Sequence, residues 1–347
     1  MNSTMQPVGP AISVENLHVS FGRKNQAVIK AVDGVTFAMQ KGEIFGIIGE
    51  SGSGKSTLGR AMVGLLRPSG GELMHGDVSP LALPSSEFNR HRRKYQIIAQ
   101  DPNAAFDPRM TMLQSLCEPL HIAREGRRAD RIAKAFAMLE RVALPPEMAN
   151  RYPHELSGGQ KQRANIARAL MLEPRVLVCD EVVAALDVSI QADMLNLFAR
   201  LREEFNLTYV FISHDLRVVS HISDRVAVMY FGKIVEFGPA RDVIDRPLHP
   251  YTEALRSAEP EVIQDRAKAR KRIVLQGEIP SAVNPPSGCR FHTRCPRARD
   301  VCRADEPKQR ELLPGRHVAC HFAEELMAQA EPLAVQPSRI SEASAGL

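Results

Sequence analysis

Unbroken apolar runs and helical stripes follow one another along the first two thirds of the chain. "EIFGIIG" and "RVLVCDE" carry no polar residue until their ends, the pattern of strands buried on both faces of a sheet. "VDGVTFAMQ", ahead of the first run, and "TYVFISHD", after the second, read as further strands. Beyond "EIFGIIG", Leu58, Ala61, Met62, Leu65 and Leu66 recur at helical spacing, with Pro68 and Gly70 as stops. "ADRIAKAFAMLERVAL" is strongly amphipathic, and residues 87–175 read as mostly helical. "SIQADMLNLFARLREEFN" predicts a helix and "DRVAVMYFGKIVEFG" a hairpin. Strands interleaved with helices describe an α/β fold.

After Gly238 the pattern changes. "PARDVIDRPLHPYTEALRSA" is helical with proline punctuation, and "GEIPSAVNPPSGCRFHTRCP" is loop. From about Glu331 the chain is polar and rich in small residues, the composition of a disordered tail. The expected division is 1–240, with a helical part at about 101–170, then a small loop-rich extension at 241–330 and a tail at 331–347.

With 347 residues, 44% hydrophobic and 24% charged, the chain has a globular composition and room for about two domains. It has no Trp and only 5% aromatic residues, which argues against a stacking platform for single-stranded nucleic acid. The net charge of +5 fits an ordinary, mildly basic protein, or one that works beside an anionic membrane. The densest basic run, "RAKARKR" at 266–272, is short enough to be a solvated helix face. No apolar run reaches the ~18 residues of a membrane span, and the N-terminus has no secretory pattern. A cytosolic or peripheral location is expected, where clustered cysteines more often mean metal or catalysis than disulfides.

"GESGSGKST" fits G-x-x-x-x-G-K-[ST] between an apolar strand and a helix. Gly49, Glu50, Ser51, Gly52, Ser53, Gly54, Lys55, Ser56 and Thr57 make a loop whose backbone N–H groups can curl around phosphate oxygens. The helix N-terminus adds partial positive charge. Lys55 can reach the β- and γ-phosphates of ATP, and the Ser56 hydroxyl can ligate Mg²⁺. Asp180, at the end of "RVLVCDE", suits Mg²⁺ through water, and Glu181 can polarise an attacking water. One such loop means one ATPase unit.

"LSGGQKQR", together with this loop, resembles the ATP-binding subunits of ABC transporters over residues 12–240. The resemblance implies a P-loop nucleotide-binding domain with a helical subdomain. It assigns Phe21 to stacking on adenine, Gln100 in "IIAQDP" to Mg²⁺ and signalling toward the membrane subunit, Asp187 in "AALD" to the D-loop, and His214 in "ISHD" to the γ-phosphate and attacking water. Glu181 takes the role of general base. Ser157, Gly158, Gly159 and Gln160 form a second anion-binding helix start. One chain cannot easily apply both anion sites to one nucleotide. The family arrangement is a head-to-tail dimer that sandwiches ATP. Two positions depart from the family: Val182 stands where Pro is usual and Ala184 where Ser is usual, which touches the dimer contacts and hydrolysis rate but no phosphate or metal ligand.

"QDPNAAFDPRMT", "HPYTEALRSA" and "GEIPSAVNPPSGCRFHTRCP" are similar to the dipeptide and oligopeptide importer branch. That branch implies a second ATPase subunit, a paralogue, with two transmembrane permease subunits, an extracytoplasmic solute-binding protein, a peripheral position on the cytoplasmic face, and no nucleic acid. Nickel, glutathione and oligosaccharide importers use similar ATPases, so cargo stays open. Two rival classes are a soluble ABC ATPase of nucleic-acid metabolism and a redox-sensing binding module. Cys289, Cys295, Cys302 and Cys320 are spaced C-x₅-C-x₆-C-x₁₇-C, without the close knuckles common at zinc. Four cysteines suit a [4Fe–4S] cluster as well, or are simply reduced thiols. The resemblance implies iron–sulfur, with zinc the alternative. Cys117 and Cys179 read as core, and His292, His317 and His321 as non-ligands.

Overall fold

The computed structural model describes residues 9–22, 28–184, 187–259, 273–277, 280–281 and 283–329, together with the backbone but not the side chain of Val188. The basic run at 266–272 and the tail at 331–347 lie outside them. Strands β1 (Ile12–Phe21) and β2 (Ile29–Met39) pair antiparallel, from Ile12 opposite Met39 to Phe21 opposite Ile29. β3 (Ile44–Ile48) leads into helix α1 (Lys55–Met62), and β4 (Gly70–Met74) returns to the other edge of β1. α2 (Ser85–Arg92), β5 (Tyr95–Ile98), α3 (Met112–Ala123), α4 (Arg128–Arg141) and α5 (Gly158–Leu170) follow. Then come β6 (Val176–Asp180), α6 (Val188–Phe205), β7 (Thr208–Ser213), α7 (Leu216–Ile222), β8 (Arg225–Tyr230) and β9 (Lys233–Pro239). The remaining elements are α8 (Ala240–Asp245), α9 (Pro250–Ala258), α10 (Asp300–Ala304), β10 (Arg310–Leu313), β11 (Arg316–Val318) and α11 (Ala323–Gln329).

The larger sheet runs β10-β11-β9-β8-β3-β7-β6-β5, parallel from β8 to β5 and antiparallel beyond. β3, β6 and β7 are buried at every position, which is why they read as unbroken apolar runs. The period of two divides their side chains between two cores. Phe45, Ile47, Val178, Val210 and Ile212 join Leu58, Met62 and the three-stranded sheet β2-β1-β4. Ile44, Leu177, Cys179, Tyr209 and Phe211 meet α3, α4, α5 and α6 on the other face.

Three local readings change. Helix α1 ends at Met62, before Leu65, because Gly64 takes φ 72° and a Schellman pair closes the end: Gly64 N–H donates to Ala61 O at 3.0 Å and Leu65 N–H to Arg60 O at 2.8 Å. Leu65 is consequently 48% exposed. Within the stretch read as mostly helical, β5 is a strand of only four residues, made by pairing with β6. Beyond residue 240 the chain returns to the sheet: β11 pairs with β9, His317 opposite Phe237 and Val318 opposite Glu236. Under that seam the buried Glu236 carboxylate accepts from Arg316 at 2.8 Å and from the backbone N–H groups of Leu248 and His249 at 2.9 and 3.1 Å. No helix among the described residues is long and apolar enough to cross a membrane.

Candidate functional site

The carboxyl ends of β3, β7 and β6 lie side by side and deliver three loops to one end of the sheet. The first is Gly49–Gly54. A Cβ on Gly49 would sit 2.1 Å from the Met229 carbonyl oxygen, and one on Gly54 2.1 Å from that of Ala31. Both positions also hold a positive φ, so the close packing and the backbone each require glycine. Lys55 opens α1 and turns back into the loop, where its Nζ donates to Gly49 O at 2.8 Å and Glu50 O at 2.9 Å. Burial lowers its pKa, and the carboxylates of Glu181, Asp180 and Glu50 pull the other way. Ser51 and Gly52 face outward at the tip of the loop.

At the end of β6, Asp180 accepts the Ser56 hydroxyl at 2.8 Å. Burial raises the Asp180 pKa and Glu181 adds to the rise, against the Ser56 hydrogen bond and the charges of Arg60 and Lys55. Glu181 follows with φ 51°, a left-handed conformation that glutamate adopts only under constraint. Its carboxylate accepts from Gln100 Nε2 at 2.8 Å and lies 3.6 Å from His214 Nδ1, just past β7. His214 is 57% exposed at the side chain, so its ring remains open to a ligand. Residues far apart in the chain (Lys55, Ser56, Gln100, Asp180, Glu181 and His214) thus meet around one cleft. They supply a cation, a hydroxyl, an amide, two carboxylates and an imidazole, the groups that binding Mg²⁺ and a phosphate chain and polarising a water require.

The other predicted residues stand apart. Ser157 caps α5 in a reciprocal box with Gln160, at 3.3 and 2.9 Å. A Cβ on Gly158 would meet no described atom within 4 Å, and one on Gly159 would rest 3.5 Å from Ile190. Asp187 is exposed at the start of α6. Among the described residues no hydrogen bond or ion pair joins Ser157, Gly158, Gly159, Gln160 or Asp187 to the phosphate loop. Phe21 is 44% exposed at the end of β1. Val182 is buried and Ala184 exposed in the turn after Glu181.

The four C-terminal cysteines occupy one neighbourhood as free thiols. Cys289 N–H donates to Cys302 O at 2.8 Å. Burial pushes the Cys289 thiol up to about 12 and Cys320 up to about 11, and raises Cys295; neighbouring cysteines add to each rise. Cys289 and Cys295 pack with Phe291 and Tyr251, whereas Cys320 packs with Leu248 and Val318. Among the described residues, no group of three or more His, Cys, Asp or Glu is spaced to hold a metal ion. His292 Nδ1 lies 2.9 Å from Cys289 O and His321 Nε2 3.0 Å from Asp305 O. Cys179 is buried in the strand core, and Cys117 packs against the same helical core.

Sequence reasoning missed three residues of the extension that touch the cleft. Tyr251 Oη accepts the Glu50 N–H at 2.7 Å. Arg294 grips the Glu50 carboxylate at 2.7 and 3.2 Å. Glu259 accepts from the Leu216 N–H at 3.2 Å, at the helix that follows His214.

Residues 32–184 match the family described as ABC transporter, and residues 235–302 the oligopeptide/dipeptide transporter C-terminal region. The chain is 50% identical over 295 residues to the oligopeptide transport ATP-binding protein AppF of Bacillus subtilis, covering 85% of this chain and 90% of that one. It is 48% identical over 311 residues to a putative peptide import ATP-binding protein of Brucella abortus, covering 90% and 97%. A dimeric ATP-binding cassette bound to ADP and phosphate superposes with a TM-score of 0.60 at 29% identity, over 66% of this chain and 99% of that one. The dimeric structure of a bacterial ABC transporter cassette gives 0.61 at 30%, with the same coverage.

Proposed function

The chain belongs to the ATP-binding proteins of ABC transporters, in the branch with the oligopeptide/dipeptide C-terminal region, and on that premise we propose that it hydrolyses ATP to energise uptake of di- or oligopeptides across the cytoplasmic membrane. The observation that carries this reading is the meeting of Lys55, Ser56, Asp180, Gln100, Glu181 and His214 at the carboxyl end of the parallel strands, in a chain that also carries the extension. Lys55 and the loop amides from Gly49 to Thr57 take the β- and γ-phosphates. Ser56, Gln100 and Asp180 are the residues that would hold Mg²⁺, which supplies charge neutralisation between the phosphates. Glu181 polarises the attacking water, His214 steadies it against the γ-phosphate, and Phe21 stacks on adenine.

Ser157, Gly158, Gly159 and Gln160 serve the nucleotide of a second subunit, with Asp187 at the seam. The open space at Gly158 supports this, since nothing described in its own chain demands glycine there. The assembly is a head-to-tail pair with a paralogous ATPase, peripheral on the cytoplasmic face, below two permease subunits served by an extracytoplasmic solute-binding protein. Residues 1–240 form the nucleotide-binding unit and 241–330 the extension. Cys289, Cys295, Cys302 and Cys320 are the residues that would hold a [4Fe–4S] cluster, or zinc. Their proximity and donor chemistry support this, while their spacing is not that of a ready ligand set.

The test is Glu181→Gln in a strain dependent on the transporter. The variant should bind and retain ATP while hydrolysis falls about 10²- to 10⁴-fold and growth on dipeptides stops. Growth equal to wild type would reject the reading, and growth failure confined to another cargo would reassign the substrate.

A further inference from the structure

Two of the arginines in the cysteine stretch, Arg290 and Arg294, brace the phosphate loop. Arg294 lies between Cys289 and Cys295 in sequence. Its Nη1 and Nη2 donate to the two Glu50 carboxylate oxygens at 2.7 and 3.2 Å, and Nη1 also lies 3.5 Å from Tyr230 Oη. The Arg294 side chain is only 8% exposed. A guanidinium that gives up so much water is stable only where its fork is met by a carboxylate, as it is here. Arg290 supplies a second strut. It donates to Asp33 and to the Phe231 carbonyl, and Gly232, next in the chain, donates its N–H to Ser53 O at 2.9 Å. The cysteine loop therefore holds the phosphate loop at Glu50 directly and at Ser53 through one turn.

Glu50 is an awkward residue for an anion site. Its carbonyl accepts from Lys55, and its carboxylate is close enough to act on the Lys55 charge. Unpaired, that carboxylate would repel a triphosphate and compete with it for Lys55. The Glu50 backbone is meanwhile fixed by the Tyr251 hydroxyl, so the loop cannot swing the side chain away by moving as a whole.

We infer that Arg294 is a positioning residue of the phosphate loop: it neutralises the Glu50 carboxylate, so that the cysteine-bearing extension sets the chain's affinity for a nucleoside triphosphate. The inference rests on the ATP-binding reading above.

The test is titration of the purified full-length chain with MgATP by calorimetry at fixed ionic strength, with KM and kcat measured in the membrane complex. Arg294→Gln should weaken MgATP binding about tenfold, the effect of losing one charge-assisted pair, and raise KM with little change in kcat. Arg294→Lys should stay nearer wild type. The decisive variant is Arg294→Gln with Glu50→Gln. Removing the stranded carboxylate should bring affinity back to within about threefold of wild type, which a merely structural arginine would not allow. Wild-type affinity in Arg294→Gln, or a double variant no better than the single, overturns the inference. If Arg294→Gln does not fold, Glu50→Asp decides, since its shorter carboxylate falls out of reach of the guanidinium. It should weaken binding at least about threefold, and an unchanged Kd overturns the inference. Lys55→Ala separates the two claims. Wild-type binding lost in Lys55→Ala but intact in Arg294→Gln sinks this inference alone; no MgATP binding by the wild-type chain sinks the ATP reading and this inference with it.

Discussion

Replacing Arg316 with methionine strands a carboxylate in the seam between β9 and β11. Glu236 is 0% exposed, and Arg316, itself 3% exposed, is its one cationic partner among the described residues. Removing one member of such a buried pair costs about 3–5 kcal/mol. Two backbone N–H donors, from Leu248 and His249, remain on Glu236. Each is a charge-assisted bond, so the expected loss lies at the lower end, about 3 kcal/mol.

The pH dependence follows from the carboxyl. Burial raises the Glu236 pKa above 4.5, against the pull of Arg316 and the Leu248 N–H. A folded-state pKa above the unfolded one gives a contribution that is fully present below the unfolded value and is lost as pH rises through the folded value. Removing Arg316 raises the folded value further. The variant's deficit relative to wild type should therefore be larger at pH 8 than at pH 5, because the raised pKa favours protonation of the stranded carboxyl as pH falls. Urea unfolding of both proteins, followed by circular dichroism at the two pH values, measures it. A deficit below about 1 kcal/mol at pH 8, the size of a surface pair, or one identical at both pH values, would refute the reasoning. The seam also reaches the cleft. Glu236 holds the His249 N–H, His249 Nδ1 accepts the Tyr251 N–H at 3.0 Å, and Tyr251 holds Glu50. The same variant should accordingly weaken MgATP binding.

Two other outcomes can be checked directly. Burial holds His75 down to about 4 from 6.5, despite its 2.7 Å contact with the Met62 carbonyl. The unfolded chain then protonates first, so stability falls as pH drops from about 6.5 to about 4, by up to about 3 kcal/mol. His75→Gln should flatten that part of the stability curve, and an unchanged slope would assign the acid loss elsewhere. Iron, acid-labile sulfide and zinc assayed on anaerobically purified protein test the proposed cysteine site: about four irons and four sulfides per chain, lost in Cys295→Ser, would establish the cluster, stoichiometric zinc would replace it, and no metal at all would remove it.

What could be read in advance was what lies contiguous in the chain. The phosphate loop was legible because its glycines, Lys55 and Ser56 fall within nine residues between a strand and a helix, and the local backbone alone dictates those residue types. β3, β6 and β7 were legible because burial on both faces leaves no polar position to blur the run. β5 was not, because four residues carry too little periodicity to stand out among helices, and pairing with β6 makes the strand.

The extension's hold on the cleft was hidden for a different reason. Tyr251 meets Glu50 across 201 residues and Arg294 meets it across 244. No spacing rule connects positions so far apart, and in the stretch from Gly288 to Cys302 the cysteines are rarer than the arginines and so carry the compositional signal. Yet it is Arg294 whose partner lies in the nucleotide loop, while Cys289 and Cys295 pack with Phe291 and Cys320 with Leu248. Cys289 and Cys295 reach the loop by two routes, through the backbone that presents Arg290 and Arg294 and through Tyr251, which they pack against and which holds the Glu50 N–H. A change in the thiols should then alter nucleotide affinity in the wild-type chain and alter it less once Glu50 and Arg294 are both neutral and Arg290 no longer holds Asp33, the remainder passing through Tyr251.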